Sequence, residues 1–393
     1  MAWGKYDLLC IRHWARGSGA AGAPFFGIHM SDEFLAERDL LSELIALVNQ
    51  GEVFSDIHIE QDARIMIKTP RGWTAAGEEA VTLAEMTPLL GAIDEDWEDK
   101  ILNAAIDRSF VLTNCRLRCN LYRMSGGRAI GIAIRRLPME PISIEKTGLP
   151  GYVRTMLEAT KGVILVTGPT GSGKTTTMAA LLDHINRTRS AHIVTIEEPI
   201  EYFLRRDQAI ISQKEVPTDT ASFSSGLREA MRQKPDVLMV GEIRDFDTAD
   251  TVLHAGESGH LVLATMHTNS ALGAISKLLG FFPAEQQAQR AAALANSLVG
   301  VIYQNLLPSE DGQNFVLASE MIFNHNQQVA PLISDPSKMH LIADFLKRKE
   351  DNMSRSLNDV LAQLVGKKMI GTKDAMRSAY NRLELHEMLS NKR

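Results

Sequence analysis

Residues 168–175 read GPTGSGKT and are followed by Thr176 and Thr177. The spacing is Gly168, four residues, Gly173, Lys174, Thr175, the pattern of a phosphate-binding loop. Each residue type has a physical reason. Gly168, Gly171 and Gly173 accept backbone angles that other residues avoid, so the loop Gly168-Pro169-Thr170-Gly171-Ser172-Gly173 can wrap closely around an anion. The N–H groups of the loop, and those opening a helix through Lys174, Thr175 and Thr176, then face the phosphates. Lys174 adds a full positive charge, and the Thr175 hydroxyl is suited to Mg²⁺. The apolar run Gly162–Val166 before the loop reads as a buried strand, and Thr175–Asn186 after it as a helix. A glycine-rich turn before an ordinary helix would explain neither the full spacing nor its strand-and-helix setting. The cofactors expected are therefore ATP and Mg²⁺.

Hydrolysis needs more than a cradle: a metal ligand, a group that places the attacking water, and positive charge for the transition state. Val237–Val240 is an apolar run ending in Gly241-Glu242, which makes Glu242 the first candidate for the metal-and-water role. Its alternative is a plain helix cap near Arg244. Glu197 and Glu198 close another apolar run, Ile193–Ile196; side chains alternate along a strand, so one of the two faces the site. His260 and His267 flank the run Leu261–Met266, with His267 the better placed for sensing a γ-phosphate. Structural histidines are the alternative for both. Arg116, Arg118 and Arg123 lie in an earlier strand-like stretch, where one arginine could serve a neighbouring subunit's nucleotide or simply form an exposed basic face.

These residues need elements to hold them. After Tyr152 the apolar runs are separated by helical patterns, which predicts βαβ units and a mostly parallel sheet with ligands at the carboxyl ends of its strands. Before that, the spacing predicts a small α+β domain over residues 31–137. Its elements are a helix over 34–48 capped by Ser31 or Asp32, strands at 55–60, 64–68, 109–112, 116–124 and 128–134, a helix at 83–93, and a Ser125-Gly126-Gly127 hairpin turn. Residues 138–150, with Pro138, Pro141, Gly148 and Pro150, read as a linker. The ATPase domain then covers 151–393, and its last part, from about Ala271, reads as helical. Residues 1–30 lack a clear period and read as a disordered extension.

Bulk composition narrows the class. The chain has 393 residues, 45% hydrophobic and 23% charged, with a formal net charge of −6. That is an ordinary globular balance, and it speaks against a dedicated nucleic-acid binder, so no nucleic-acid partner is expected. No apolar stretch approaches the roughly 18 residues of a membrane span. The three cysteines, Cys10, Cys115 and Cys119, fit free thiols in a reducing compartment.

Taken together, the motifs resemble the secretion ATPases of type II secretion and type IV pilus machines, most nearly the twitching-motility (pilus retraction) branch. GPTGSGKTTTMAALLDHIN is similar to that family's Walker A loop and TIEEPIEYF to its acidic "Asp box". SFSSGLREAMRQKPDVLMVGEIRDFDTAD is similar to its Walker B segment and GESGHLVLATMHTNSA to its "His box". Ser55-Asp56-Ile57-His58, RLRCN, AIRRLP, FFPAEQQAQ and LNDVLAQLV also match, so the likeness covers about residues 31–390. The four-cysteine zinc insert usual in the family's pilus-extension and type II secretion members is absent, which favours the retraction-like branch; that branch's short C-terminal motif helix is matched only loosely at 340–347. The resemblance implies a RecA-like P-loop core, a PAS-like N-terminal domain and a homo-hexameric ring. It also implies work on an inner-membrane pilus or secretion platform protein at the cytoplasmic face. It assigns Glu242 and Glu197 to the acidic motifs, His260 and His267 to the His box, and Arg116, Arg118 and Arg135 to nucleotide contacts near the subunit boundary. A related type IVB or type II-like secretion ATPase, a nucleotide-binding scaffold without turnover, and a nucleic-acid translocase are the competing readings.

Overall fold

The structure is a computed structural model and describes residues 38–49, 53–112, 115–324, 328–349 and 351–390. The expected extension, the cap at Ser31 or Asp32 and Cys10 lie outside the described residues. The chain divides into two compact units, the first running to Leu137 apart from the turn Thr69–Gly72, the second made of that turn and the chain from Pro138 onward.

Among the described residues, the first unit combines the helices Leu40–Asn49, Leu83–Ile93 and the short Trp97–Lys100 with a six-stranded sheet. Leu40, Leu44 and Val48 recur at helical spacing and are buried on one side of the helix Leu40–Asn49. The strands are β1 (Asp56–Glu60), β2 (Ala63–Thr69), β3 (Gly72–Val81), β4 (Ile106–Val111), β5 (Cys115–Met124) and β6 (Ala129–Pro138). Their order is β3-β2-β1-β6-β5-β4. The sequence pattern does not predict β3, because GWTAAGEEAV is mostly exposed and lacks apolar alternation. Helix Leu83–Ile93 begins at a capping box in which Thr82 and Glu85 bond reciprocally. Along β5, Cys115, Leu117, Cys119 and Leu121 point into the core. Burial pushes the Cys119 thiol up to about 12. Of the candidate arginines, Arg116 is buried, Arg118 lies 3.5 Å from Asp107, and Arg135 pairs with Asp56 at 2.9 Å.

The second unit is built on a seven-stranded sheet. Its strands are β7 (Gly162–Thr167), β8 (His192–Glu197), β9 (Ile210–Glu215), β10 (Val237–Val240), β11 (Leu261–Met266), β12 (Leu298–Pro308) and β13 (Phe315–Phe323). They lie in the order β13-β12-β7-β11-β10-β8-β9, and every neighbouring pair is parallel except β12 with β13. β7, β10 and β11 are buried along their whole length, which is why they read as continuous apolar runs.

Two expectations are corrected here. The stretch from about Ala271 is not helical throughout. The helices Ala271–Gly280 and Ala284–Ser297 lead into β12 and β13, and helices resume afterwards. β12 (LVGVIYQNLLP) is covered on both faces, with Val301 and Tyr303 in one core and Ile302 in the other, so its apolar residues do not alternate and its strand signal is weak. Residues 138–150 are also not a free linker, because Ile144 and Leu149 are buried in the core of the second unit.

Candidate functional site

The parallel register sets four chain turns side by side. Thr167 of β7 lies opposite Met266 of β11, and Val240 of β10 lies level with both Ala264 and Ile196. The phosphate loop, His267, Gly241-Glu242 and Glu197-Glu198 therefore emerge along one edge of the sheet. Such an edge is where open α/β sheets bind ligands.

The loop holds its shape through contacts that its glycines make possible. Gly168 has φ +152°, and a Cβ there would run into the Gln304 carbonyl oxygen and Ser172 Oγ. Gly173 is left-handed (φ 83°) and caps the helix Lys174–Thr188 without any side-chain cap. The first N–H groups of that helix are thus left for an anion. Met178, Leu181, Leu182 and Ile185 bury the other side of the helix. Gln304, a fully buried residue of β12, donates from Nε2 to Ser172 O at 2.7 Å. Among the described residues, Ser172 Oγ is buried without a hydrogen-bond partner.

Lys174 is the charge at the centre. Its ammonium donates to Gly168 O and Pro169 O, both at 2.9 Å, and lies 3.4 Å from His267 Nδ1. Burial pulls its pKa down to about 8, against the opposing pull of Glu242 and Glu201. His267 is also lowered, first by burial and then by the Lys174 charge. Its Nε2 faces Glu242 Oε1 at 3.6 Å. Glu242 Oε2 accepts from Arg244 Nε at 2.8 Å, and Arg244 Nη1 reaches Glu198 Oε2 at 2.8 Å. Thr265 Oγ1 donates to Gly241 O and so ties the Glu242 turn to β11. The cap of the following helix is Asp245, which accepts from Thr248 N at 2.8 Å, so Glu242 is not spent on capping.

Glu197 and Glu198 part company, as strand alternation requires. Glu198 is half-exposed in its pair with Arg244. Glu197 is only 6% exposed and lines a small cavity with Thr175, Tyr202 and Gln213. Burial raises its pKa, while hydrogen bonds from Thr195 and Gln213 lower it. Tyr202 OH in turn lies 2.9 Å from Thr176 Oγ1 on the phosphate-binding helix.

His260 does not join this cluster. It stands at the amino end of β11, where its carbonyl accepts from Gly162 N at 3.0 Å and its Nδ1 lies 3.2 Å from Ala255 O. The six residues of β11 separate it from His267 by about 20 Å. Arg116, Arg118 and Arg135 belong to the first unit. The sequence alone does not single out Gln304 or Gln213; Tyr202 and Arg244 lie within the motifs TIEEPIEYF and SFSSGLREAMRQKPDVLMVGEIRDFDTAD, but their roles at the site are not legible there.

The family model described as "Type II/IV secretion system protein" matches residues 121–377. That is well over half of the chain. The chain belongs to the type II/IV secretion system protein family. Its relatives include the "Type IV pilus retractation ATPase PilT" of Pseudomonas aeruginosa, 32% identical over 86% of this chain and 98% of that protein. The "Twitching motility protein" of Neisseria gonorrhoeae is 36% identical over 76% of this chain and 79% of that protein. A crystal structure of "the Pilus Retraction Motor PilT and Bound ADP" superposes with a TM-score of 0.75 at 35% identity, covering 89% of this chain and all of that one. The α/β fold is that of these ATPases, and the chain is a P-loop ATPase of the same type.

The residues present fit a nucleotide with a hard divalent cation. The loop supplies uncapped N–H groups, an ammonium and an unpartnered buried hydroxyl. The Thr175 hydroxyl and the carboxylates of Glu197 and Glu242 are oxygen donors. Mg²⁺ commonly uses one or two carboxylates together with substrate phosphates and water. No described helix is long and apolar enough to cross a membrane.

Proposed function

We propose that this chain is the ATP-hydrolysing subunit of a homo-hexameric ring motor that powers type IV pilus retraction. The observation that carries the reading is the contiguous set Lys174, His267 and Glu242, in which the phosphate-loop lysine meets side chains that follow the ends of the neighbouring strands β11 and β10. Lys174 and the loop N–H groups neutralise the phosphates of ATP. Thr175 and Glu242 would hold Mg²⁺, which supplies charge neutralisation when bound, and Glu197 stands beside Thr175 to order the surrounding water. Glu242 orients the attacking water. His267, held between Lys174 and Glu242, responds to the terminal phosphate. Arg116, Arg118 and Arg135 of the first unit are proposed to complete a nucleotide site near the subunit boundary. The partner would be a platform protein at the cytoplasmic face of the inner membrane, with the ATPase associated peripherally through it.

The test is steady-state ATPase activity against protein concentration, paired with light-scattering mass, for wild type and Glu242→Gln. Turnover per subunit should rise as a hexamer assembles and should fall by at least about 10²-fold in the variant. Wild-type turnover in Glu242→Gln would remove the catalytic assignment, and nucleotide binding without turnover at any concentration would favour a scaffold.

A further inference from the structure

A carboxylate buried beside a phosphate loop is useful only if it points one way. Glu197 is unlike its exposed neighbour Glu198 in how completely it is held. Its Oε1 accepts from Thr195 Oγ1 at 2.7 Å and from Gln213 Nε2 at 3.1 Å. Gln213 reaches across from β9, the edge strand paired with β8. Its amide cannot swing, because Nε2 also donates to Tyr202 O at 2.8 Å while its Oε1 accepts from Leu204 N at 2.9 Å. An amide with both its nitrogen and its oxygen engaged has one usable orientation. Thr195 is fully buried, and its hydroxyl points along the strand toward the same oxygen. Two donors from two strands thus converge on one atom of a carboxylate that shares a cavity with Thr175.

We propose that Gln213 and Thr195 are positioning residues for magnesium-dependent ATP hydrolysis, fixing Glu197 Oε1 so that the carboxylate is presented beside Thr175 in a single orientation. This rests on the function proposed above. Groups that orient the residues around a metal typically affect metal affinity or activity by 10- to 100-fold when removed. Gln213 also anchors residues 202–204, so a loss on its removal could be purely structural. Thr195 anchors no loop in this way; its hydroxyl donates to Glu197.

The experiment is a Mg²⁺ titration of ATPase activity in the full chain at saturating ATP, for wild type, Thr195→Val, Thr195→Ser, Gln213→Leu and Glu197→Gln. Binding of a fluorescent ATP analogue in EDTA serves as the control for folding. Thr195→Val, which keeps the shape, and Gln213→Leu should each raise the Mg²⁺ concentration for half-maximal activity by about ten-fold or more, with metal-free nucleotide binding unchanged. Thr195→Ser keeps the hydroxyl and should restore the wild-type magnesium requirement. A wild-type magnesium requirement in Thr195→Val overturns the inference, whatever Gln213→Leu does, and leaves Gln213 as a loop anchor. If Glu197→Gln itself shows wild-type turnover and magnesium requirement, the role of Glu197 in the proposed function fails first. If Glu197→Gln is impaired while Thr195→Val is not, only the positioning inference fails.

Discussion

The ammonium of Lys174 lies 3.4 Å from Nδ1 of His267, and the opposite ring nitrogen faces Glu242 Oε1 at 3.6 Å. An ammonium has only donors, so Nδ1 must be the lone-pair nitrogen and Nε2 the one that carries hydrogen. The lowered pKa of His267 agrees, since burial and the Lys174 charge both disfavour an imidazolium. His267 is therefore a neutral bridge between the phosphate-loop cation and the carboxylate on the neighbouring strand.

Replacing His267 with Ala should separate binding from chemistry. Lys174 keeps its two loop carbonyl partners, so nucleotide affinity should change little. The turnover number should fall by about 10²-fold. Fluorescent-nucleotide titration beside steady-state kinetics checks this. A large loss of affinity with unchanged turnover would mean that the histidine only shapes the pocket.

Arg244 offers a case in which stability and activity should diverge. It bridges Glu242 and Glu198, but its side chain is more than half exposed. Surface ion pairs contribute about 0–1 kcal/mol, so Arg244→Ala should barely move the denaturation midpoint. Glu242 would lose the 2.8 Å contact that orients it. Turnover should drop about ten-fold. Paired melting and ATPase measurements decide whether the arginine orients a catalytic group or merely decorates the surface.

Gln304 is the least expected part of the phosphate loop. Gln304→Leu would leave the Ser172 carbonyl without its 2.7 Å donor, at a cost of about 1–3 kcal/mol in stability. A loosened loop should weaken nucleotide binding by about five- to ten-fold, the equivalent of one lost hydrogen bond. Calorimetric titration with ADP checks the affinity. An unchanged affinity would show that the glycines alone hold the loop.

How much of the molecule is legible in its sequence depends on how local each signal is. Lys174, Thr175 and their glycines form one unbroken motif, and β7, β10 and β11 are apolar because both their faces are covered, so loop and strands can be read together. Glu242 and His267 can be placed because each follows such a strand by one or two residues. His260 flanks the same strand at its amino end, so strand direction separates it from His267 along the sheet. Gln304 and Gln213 are invisible in the sequence because each acts across the sheet on a residue distant along the chain, and a glutamine in a strand carries no local mark. β12 and β3 escape for opposite reasons: the first is apolar without alternation, the second polar without a buried face.

Glu320 gives the molecule a pH-dependent stability that does not involve the nucleotide. It is buried on β13, where its Oε1 accepts from Ala271 N at 2.8 Å and its Oε2 lies 3.4 Å from Leu357 N. It thus holds the starts of two helices, Ala271–Gly280 and Leu357–Gly366. Burial raises its pKa from 4.5 to about 7, outweighing those hydrogen bonds. A raised folded-state pKa means that the native state binds the proton more tightly than the unfolded chain. The stabilising contribution is therefore full below pH 4.5 and is lost as pH rises through about 7. The shift corresponds to a loss on the order of 3 kcal/mol. Denaturant midpoints measured between pH 5 and pH 8 should thus fall more steeply in wild type than in Glu320→Gln, which cannot ionise. Parallel slopes for the two proteins would mean that Glu320 stays ionised in the fold and that the two helix starts compensate its burial fully.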